Sequence, residues 1–207
     1  MKIAVIPARG GSKRIKNKNI REFAGKPLIS YSLAAAIDAG LFDEIIVSTD
    51  SSEIAAVSRQ YGATYIVERS ADLSDDFTGT TPVVRDAIKC YELNLEKEIE
   101  QVCCIYATAP FLSAHALRSG FDKLCKTENA KFAFSVTSFP FPIQRSIRLV
   151  GNGVEPVFDK QIKMRSQDLE EYYHDAGQFY WGTASAYLTG KAIFAEHSKV
   201  VILIITS

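Results

Sequence analysis

The sequence predicts an α/β fold in which a mostly parallel, Rossmann-like sheet carries helices on both faces. Short apolar runs, typical of strands buried on both faces, alternate along the chain with longer segments of helical periodicity. The connections between these segments are short, as they are in repeated strand–helix–strand units. Residues 1–137 follow this pattern throughout, and we expect them to form the core of the protein.

The sequence of this core predicts five strands and four helices. The predicted strands cover residues 3–6, 44–48, 65–67, 102–106 and 132–136. The predicted helices cover residues 28–39, 52–61, 81–95 and 113–125. Gly40 and Gly62 follow the first two helices, where a left-handed C-cap residue is common. Pro82 suits the first turn of the third helix, and Ser113 suits the N-cap of the fourth.

A different pattern begins after residue 137. Residues 139–144 are predicted to be extended, because each proline disfavours the helical conformation of the residue before it. Residues 146–150 and 154–158 predict a hairpin that turns at Asn152-Gly153. We expect residues 138–182 to form a projecting β-arm that packs on another subunit, and residues 183–207 to return to the core. The alternative for this stretch is a β-excursion that folds over the protein's own active site.

The overall composition excludes several classes of protein. Lys and Arg total 24, as do Asp and Glu, so the net charge is zero and argues against a nucleic-acid or membrane-surface partner for the whole chain. The longest apolar run, residues 200–205, is far too short to span a bilayer, and the start reaches Pro7 and Arg9 too early for a signal peptide. None of the four cysteines has zinc-site spacing, and we expect them to be buried hydrophobic residues. These features predict a cytoplasmic protein.

The strongest functional signal is the loop at residues 7–20, which directly follows the first strand. It therefore lies at the carboxyl edge of the sheet, where open α/β folds bind ligands. Between Arg9 and Lys26 there are seven basic residues and one acid. Gly10-Gly11 permits close backbone approach to phosphate oxygens, and Arg9 and Lys13 supply charge suited to a triphosphate. Neither a Walker P-loop nor a dinucleotide motif is present. The alternative is a solvated basic loop that contacts RNA.

The segments IPARGGSK (6–13), KNI (18–20), GKPLI (25–29) and STD (48–50) resemble the N-terminal signature of the CMP-sialic acid synthetase (acylneuraminate cytidylyltransferase) family. SFPFPIQR (138–145) and HDAGQFYW (174–181) look like the branch that activates pseudaminic acid. The resemblance, which extends to about residue 195, implies a nucleotidyltransferase type A-like fold. It also implies transfer of CMP from CTP to a nine-carbon sugar acid, with Mg²⁺ as cofactor and a homodimer as the assembly. N-acetylneuraminic or legionaminic acid is the alternative acceptor, and a CTP-binding protein without catalysis is the alternative to an enzyme.

The resemblance also implies roles for particular residues. Catalytic roles are expected for Arg9, Lys13 and Lys18. Nucleotide contacts are expected from Ala8, Arg9, Gly10, Gly11, Ser12, Lys13, Asn19, Arg69, Thr78, Thr80 and Thr81. Sugar contacts are expected from Tyr106, Thr108, Gln144, Arg145, Asp175, Gln178 and Tyr180. Helix capping is the alternative for the three threonines. The aromatic residues Phe139, Phe141, Tyr180 and Trp181 are candidates to line the sugar pocket, and arm core or dimer interface is the equal alternative for them.

Two positions depart from the family pattern. Tyr106 stands where the family often has Gln, a departure associated with the pseudaminate branch. The acidic segment that helps to hold magnesium in the family has no counterpart before Ser207, so residues 200–207 resemble a strand cut short or a shifted reading frame. The family pattern therefore predicts no set of metal ligands in this chain, and a CTP-binding form without activity is the alternative. Asp50, at the end of a strand, is the one nearby acid that suits a partial ligand, and its alternative role is to cap the following helix.

Overall fold

The computed structural model describes residues 1–12, 15–95 and 97–203, and for Leu95 the backbone alone. Within these ranges the strands are β1 (Lys2–Pro7), β2 (Glu22–Phe23), β3 (Lys26–Pro27), β4 (Glu44–Thr49), β5 (Tyr65–Glu68), β6 (Gln101–Ile105), β7 (Phe132–Ser138), β8 (Ile147–Val150), β9 (Gly153–Pro156), β10 (Tyr173–Thr183) and β11 (Ser198–Ile202). The helices are α1 (Leu28–Ala39), α2 (Ser52–Gln60), α3 (Thr80–Leu95), α4 (Ala114–Lys126) and α5 (Ala184–Leu188). The described residues form two compact units, one within residues 1–135 and 177–201 and one within residues 136–176 and 202–203.

The larger unit contains the predicted α/β fold. Its sheet has the strand order β11-β7-β10-β6-β1-β4-β5. β1 pairs in parallel with both β4 and β6, and β4 pairs in parallel with β5, whereas β10 runs antiparallel to β6. The predicted fold class is therefore confirmed. Because the four parallel strands end at one edge, the segments that follow them meet there.

The predicted helices are also present, with small differences at their ends. Gly40 has a φ of 64° and donates its N–H to the carbonyl of Ile37, as a left-handed C-cap does. Ser51 and Ser113 cap α2 and α4, because their hydroxyls accept hydrogen bonds from backbone N–H groups of the first turn. None of the helices in the described ranges is long and apolar enough to cross a membrane.

Aromatic residues of β10 belong to the core of the α/β unit. Trp181 is fully buried, its ring stacks on Phe42 with 5.0 Å between centroids, and its Nε1–H donates to the carbonyl of Leu117 at 2.9 Å. The arm was predicted to extend to residue 182, but residues 177–182 lie in the α/β unit. The difference arises because the second half of β10 pairs with β6 and buries its side chains.

The cysteines follow the prediction only in part. Cys103 and Cys104 are buried within β6. Cys90 is half-buried, and Cys125 is exposed on α4, contrary to the expectation that all four are buried. All four are free thiols in the structure.

The smaller unit contains the predicted hairpin, formed by β8 and β9, but its turn lies at Gly151-Asn152 and not at the predicted Asn152-Gly153, because Gly153 already belongs to β9. Val150 lies opposite Gly153, and Arg148 pairs with Glu155 across the hairpin at 2.9 Å. Both strands are exposed along almost their whole length, and apolar side chains such as Leu149, which is 83% exposed, face solvent. The hairpin therefore presents an unusual amount of apolar surface for its size.

Candidate active site

A cleft of about 710 Å³ opens at the carboxyl edge of the parallel strands, entirely within the α/β unit. Four segments line it: the loop after β1, Arg69 after β5, residues 76–83 at the start of α3, and residues 106–108 after β6. These are the positions that the strand order brings together. The predicted ligand site and this cleft therefore share the same edge of the sheet.

Many of the site residues predicted from the sequence line the cleft. Those that line it are Arg9, Ser12, Lys18, Asn19, Arg69, Thr78, Thr80, Tyr106 and Thr108. Gly10, Gly11 and Thr81 are chain neighbours of lining residues, while Ala8 is a buried core residue. Lys13 lies outside the described residues.

The loop after β1 is held by hydrogen bonds to the neighbouring strand. The Ala8 N–H donates to the carbonyl of Ser48 at 2.9 Å, and the Gly10 N–H donates to Asp50 Oδ1 at 2.7 Å. A Cβ at Gly10 would lie 3.0 Å from Cβ of Ser51, so the glycine permits this close approach. The Gly10 N–H was predicted to converge on phosphate, but it already has a carboxylate acceptor within the chain.

Arg9 reaches across to the loop before α3. Its Nη2 lies 2.7 Å from Asp76 Oδ1, and its Nη1 donates to the carbonyl of Asp75 at 2.8 Å. The Asp75 carboxylate accepts hydrogen bonds from the N–H groups of Phe77 and Thr78, at 3.1 and 2.6 Å. Hydrogen bonds from the side chain and backbone of Thr78 lower the pKa of Asp75. The turn that holds Arg9 is therefore itself well ordered.

Arg69 is a buried cation in the wall of the cleft. Its side chain donates from Nη2 to the carbonyl of Ser48 at 2.7 Å and from Nε to the Ser48 hydroxyl at 3.2 Å, and the residue is only 7% exposed. Burial lowers the pKa of Arg69, although the nearby carboxylate of Asp50 opposes that shift. A guanidinium stays protonated in proteins, so the cleft holds a positive charge that water screens poorly. Such a site favours anions.

Tyr106 forms another part of the wall. Its hydroxyl shares a hydrogen bond with Thr80 Oγ1 at 3.3 Å, and its ring packs on Tyr180 with 5.5 Å between centroids. Its backbone N–H donates to the carbonyl of Gln178 at 2.9 Å. Tyr180 is buried, and neither it nor Gln178 lines the cleft. Because β10 pairs with β6, Tyr180 and Gln178 contact Tyr106 on its side away from the cleft lining.

The remaining predicted sugar-binding residues belong to the smaller unit. Gln144 is buried, and its Nε2 donates to the carbonyl of Glu170 at 2.8 Å. The guanidinium of Arg145 donates to the carbonyls of Ile162 and Met164, at 2.9 and 2.5 Å. Both terminal nitrogens of Arg145, which was expected to contact the sugar, thus bind backbone oxygens.

Asp175 follows His174 at the start of β10 in the same unit. The Nδ1–H of His174 donates to the carbonyl of Asp175 at 2.9 Å, and the imidazole packs edge-on against Phe139 with 4.9 Å between centroids. The paired motifs that were singled out in the sequence, at residues 138–145 and 174–181, therefore contact each other through this aromatic pair.

Comparison with known proteins adds the decisive observation, since a family model described as cytidylyltransferase matches residues 3–203. The chain belongs to the cytidylyltransferase family. A pseudaminic acid cytidylyltransferase of Campylobacter jejuni is 47% identical over 203 residues, which are 97% of this chain and 86% of the relative. A CMP-N,N'-diacetyllegionaminic acid synthase of Legionella pneumophila is 34% identical over 201 residues, with the same two coverages of 97% and 86%.

A solved structure supports the fold of this cytidylyltransferase independently of sequence. CMP:2-keto-3-deoxy-manno-octonic acid synthetase complexed with CTP matches with a TM-score of 0.71, covering 98% of this chain and 89% of the other. The two sequences are only 13% identical, so the match bears on the fold alone.

Carboxylates near the cleft of this cytidylyltransferase are few. Among the described residues no three His, Cys, Asp or Glu side chains form a group that could hold a metal ion. Mg²⁺, however, is commonly held by one or two carboxylates together with substrate phosphates and waters. Asp50, exposed at the end of β4, fits as a single ligand of this kind.

Among the described residues that line the cleft, Asp76 is the charged one to which the sequence analysis gave no role. Arg69, Thr78, Thr80 and Thr81 of the same stretch were expected to contact the nucleotide, but no role was given to its acids. The available signal was the closeness of this acid in sequence to residues that were expected to contact the nucleotide. Its partner, Arg9, lies 67 residues away in sequence and could not be inferred without the fold.

Proposed function

We propose that this cytidylyltransferase transfers CMP from CTP to pseudaminic acid, giving CMP-pseudaminic acid and pyrophosphate. The observation that carries the proposal is the similarity, along almost the whole chain, to a relative that bears that activity in its name. The legionaminic acid relative covers the same length at lower identity, which favours pseudaminic acid as the acceptor. The three positively charged side chains that line the cleft in the described structure, those of Arg9, Lys18 and Arg69, are consistent with two anionic substrates.

The proposed reaction is a single in-line displacement. The anomeric hydroxyl of the sugar acid attacks the α-phosphorus of CTP, gives up its proton to a water molecule, and forms the new P–O bond. The bond from the α-phosphorus to the bridging oxygen breaks, and its electron pair leaves with pyrophosphate. Arg9, Lys18 and Arg69 bind and orient phosphate oxygens, and they stabilise the charge that develops on them. No covalent intermediate with the protein is required.

We further propose Mg²⁺ as the cofactor, with Asp50 as one of its ligands. When bound, Mg²⁺ neutralises phosphate charge during transfer. Asp50 supports this proposal because it is a carboxylate beside the loop after β1, and its Oδ1 already contacts Gly10 at 2.7 Å. The chain's own cations share the task of charge neutralisation.

We also propose that the protein is a homodimer in the cytoplasm, where CTP is available. The hairpin of β8 and β9 supports the dimer, because a two-stranded hairpin is only marginally stable by itself. Ile147, Leu149 and Val154 are 57%, 83% and 59% exposed, and a second copy would remove this apolar surface from water. Sedimentation should show a dimer that Leu149→Lys weakens, whereas a wild-type monomer at all concentrations would contradict the proposal.

Pyrophosphate release tests the proposed function directly. The purified chain is incubated with CTP, Mg²⁺ and pseudaminic, N-acetylneuraminic or N,N'-diacetyllegionaminic acid in parallel. We expect release with pseudaminic acid at a kcat/KM at least tenfold above the other two. Faster release with another acid would overturn the acceptor. Silence with all three while CTP still binds would favour a nucleotide-binding protein without catalysis.

A pair of variants shows whether the cleft performs this reaction. Arg9→Ala removes a lining cation and is expected to lower kcat/KM at least 100-fold. Arg21→Ala removes an exposed cation of the same basic segment that does not line the cleft, and it serves as the matched control. Equal effects of the two substitutions would show that the basic segment acts only through its overall charge.

A further inference from the structure

Asp76 places a carboxylate in the wall of a cleft that is proposed to receive two anionic substrates. A negative charge in such a place repels both substrates unless a neighbouring cation compensates it. Arg9 is that neighbour, with Nη2 at 2.7 Å from Asp76 Oδ1, and the two side chains are 30% and 27% exposed. The contact is therefore partly shielded from water, unlike an ordinary surface ion pair.

The guanidinium of Arg9 is held by several groups of one turn. Besides Asp76, it contacts the carbonyl of Asp75 at 2.8 Å and that of Ser74 at 3.5 Å. The backbone of Arg9 is fixed separately, because Asn19 Nδ2 donates to its carbonyl at 2.9 Å. Both ends of this long side chain are thus anchored, one by the loop after β1 and the other by the turn before α3.

We propose that Asp76 is a positioning residue for CMP transfer, which orients the Arg9 guanidinium toward the phosphates of CTP. A guanidinium has five N–H donors, and the three contacts use at most three of them. A phosphate can therefore bind the remaining donors while the ion pair persists. Orientation before binding also removes the entropic cost of ordering a flexible arginine when CTP arrives.

The competing possibility is that Asp76 neutralises Arg9 and is displaced by phosphate. The two possibilities predict opposite changes in CTP affinity when Asp76 is removed. If Asp76 competes, its removal strengthens CTP binding, because a repulsive charge disappears. If Asp76 positions Arg9, its removal weakens CTP binding, because the guanidinium loses its charged hydrogen-bond partner. This inference rests on the proposed function, because it requires that Arg9 binds the phosphates of CTP.

The test compares Asp76→Ala with Asp76→Asn, each alone and in an Arg9→Ala background. CTP affinity is measured by calorimetry, and kcat and KM by pyrophosphate release. We expect Asp76→Ala to raise the Kd for CTP about tenfold and to lower kcat/KM by 10- to 100-fold. Asp76→Asn keeps an acceptor oxygen and should stay within about threefold of wild type. Asp72→Ala is the matched control, because it removes an exposed acid from the same loop, and its carboxylate has no bond to Arg9 in the described structure.

The double variant separates positioning from a general structural effect. If Asp76 acts through Arg9, adding Asp76→Ala to Arg9→Ala causes no further loss of CTP affinity. A further tenfold loss in that background, or tighter CTP binding by Asp76→Ala alone, would overturn the proposal. If wild-type protein releases no pyrophosphate with any acceptor, the proposed function fails. The CTP titrations would still decide the role of Asp76.

Discussion

The hydrogen bond between Asp50 and the Gly10 N–H predicts a measurable loss of nucleotide affinity when Asp50 is replaced by alanine. The bond is 2.7 Å long and joins the end of β4 to the loop that lines the cleft. Without it, the loop would sample conformations in which Arg9 and Ser12 no longer face the cleft. Part of the binding free energy of CTP would then be used to order the loop.

The magnitude follows from the character of the bond. A hydrogen bond to a charged group contributes about 1.5–3 kcal/mol. Because Asp50 is exposed, water replaces part of that interaction, and about 1–1.5 kcal/mol is a better expectation for Asp50→Ala. This corresponds to a rise of about 5- to 12-fold in the Kd for CTP. Asp50→Asn retains an acceptor oxygen and should lose about twofold.

Calorimetry with CTP, first in EDTA and then in Mg²⁺, distinguishes the two roles of this residue. If Asp50 orders the loop, the loss appears under both conditions. If Asp50 acts only as a metal ligand, the loss appears only with Mg²⁺. Asp43→Ala is a matched control, because Asp43 Oδ2 accepts a similar bond from the Lys2 N–H at 2.6 Å, at the opposite end of β1. Wild-type affinity for Asp50→Ala under both conditions would refute the reasoning.

Three further predictions concern charge and packing. Arg69→Met keeps an unbranched side chain but removes the buried charge and its hydrogen bonds to Ser48, so calorimetry should show at least tenfold weaker CTP binding, and denaturant unfolding should show a loss of about 1–3 kcal/mol because the buried Ser48 loses its donor; unchanged CTP affinity would contradict this. Gly120→Ala would place Cβ 2.6 Å from Phe179 Cε2, so denaturant unfolding should show a loss of about 1–3 kcal/mol. The pKa of Asp75 is lowered by its hydrogen bonds at Thr78. The ionised Asp75 carboxylate therefore stabilises the folded protein fully above its unfolded pKa of about 3.9, and this contribution is lost as the pH falls through the lower pKa of the folded state. The thermal midpoint of Asp75→Asn should consequently depend less on pH below about 4 than that of the wild type.

The parallel part of the fold could be predicted because its strands are buried on both faces. β1, β4 and β6 are nearly continuous apolar runs, and such runs have few alternatives in a chain that alternates strands with helices. Once the strands are parallel, their carboxyl ends must share an edge. Arg9, Arg69 and Tyr106 each follow a strand closely, so their presence in one cleft could be deduced before their contacts were known.

The aromatic segment at the end of β10 could not be assigned in the same way. Tyr180 and Trp181 would give the same apolar pattern in a sugar pocket, in an arm or in a core. The deciding fact is a long-range pairing, in which Tyr180 lies opposite Cys104 and Trp181 opposite Cys103 in an antiparallel register. A strand that joins the sheet out of sequence order leaves no local signal of its partner.

The arginines show why charge in a sequence does not determine its use. Each has five donors, and the number left for a ligand depends on which backbone oxygens the fold brings near. Arg145 binds the carbonyls of Ile162 and Met164, so its guanidinium stabilises a loop of the smaller unit. Arg69 binds Ser48 but remains in the wall of the cleft. An arginine is therefore a strong candidate for phosphate binding when it both lines a cleft and keeps donors beyond its own internal contacts. Both conditions depend on tertiary structure.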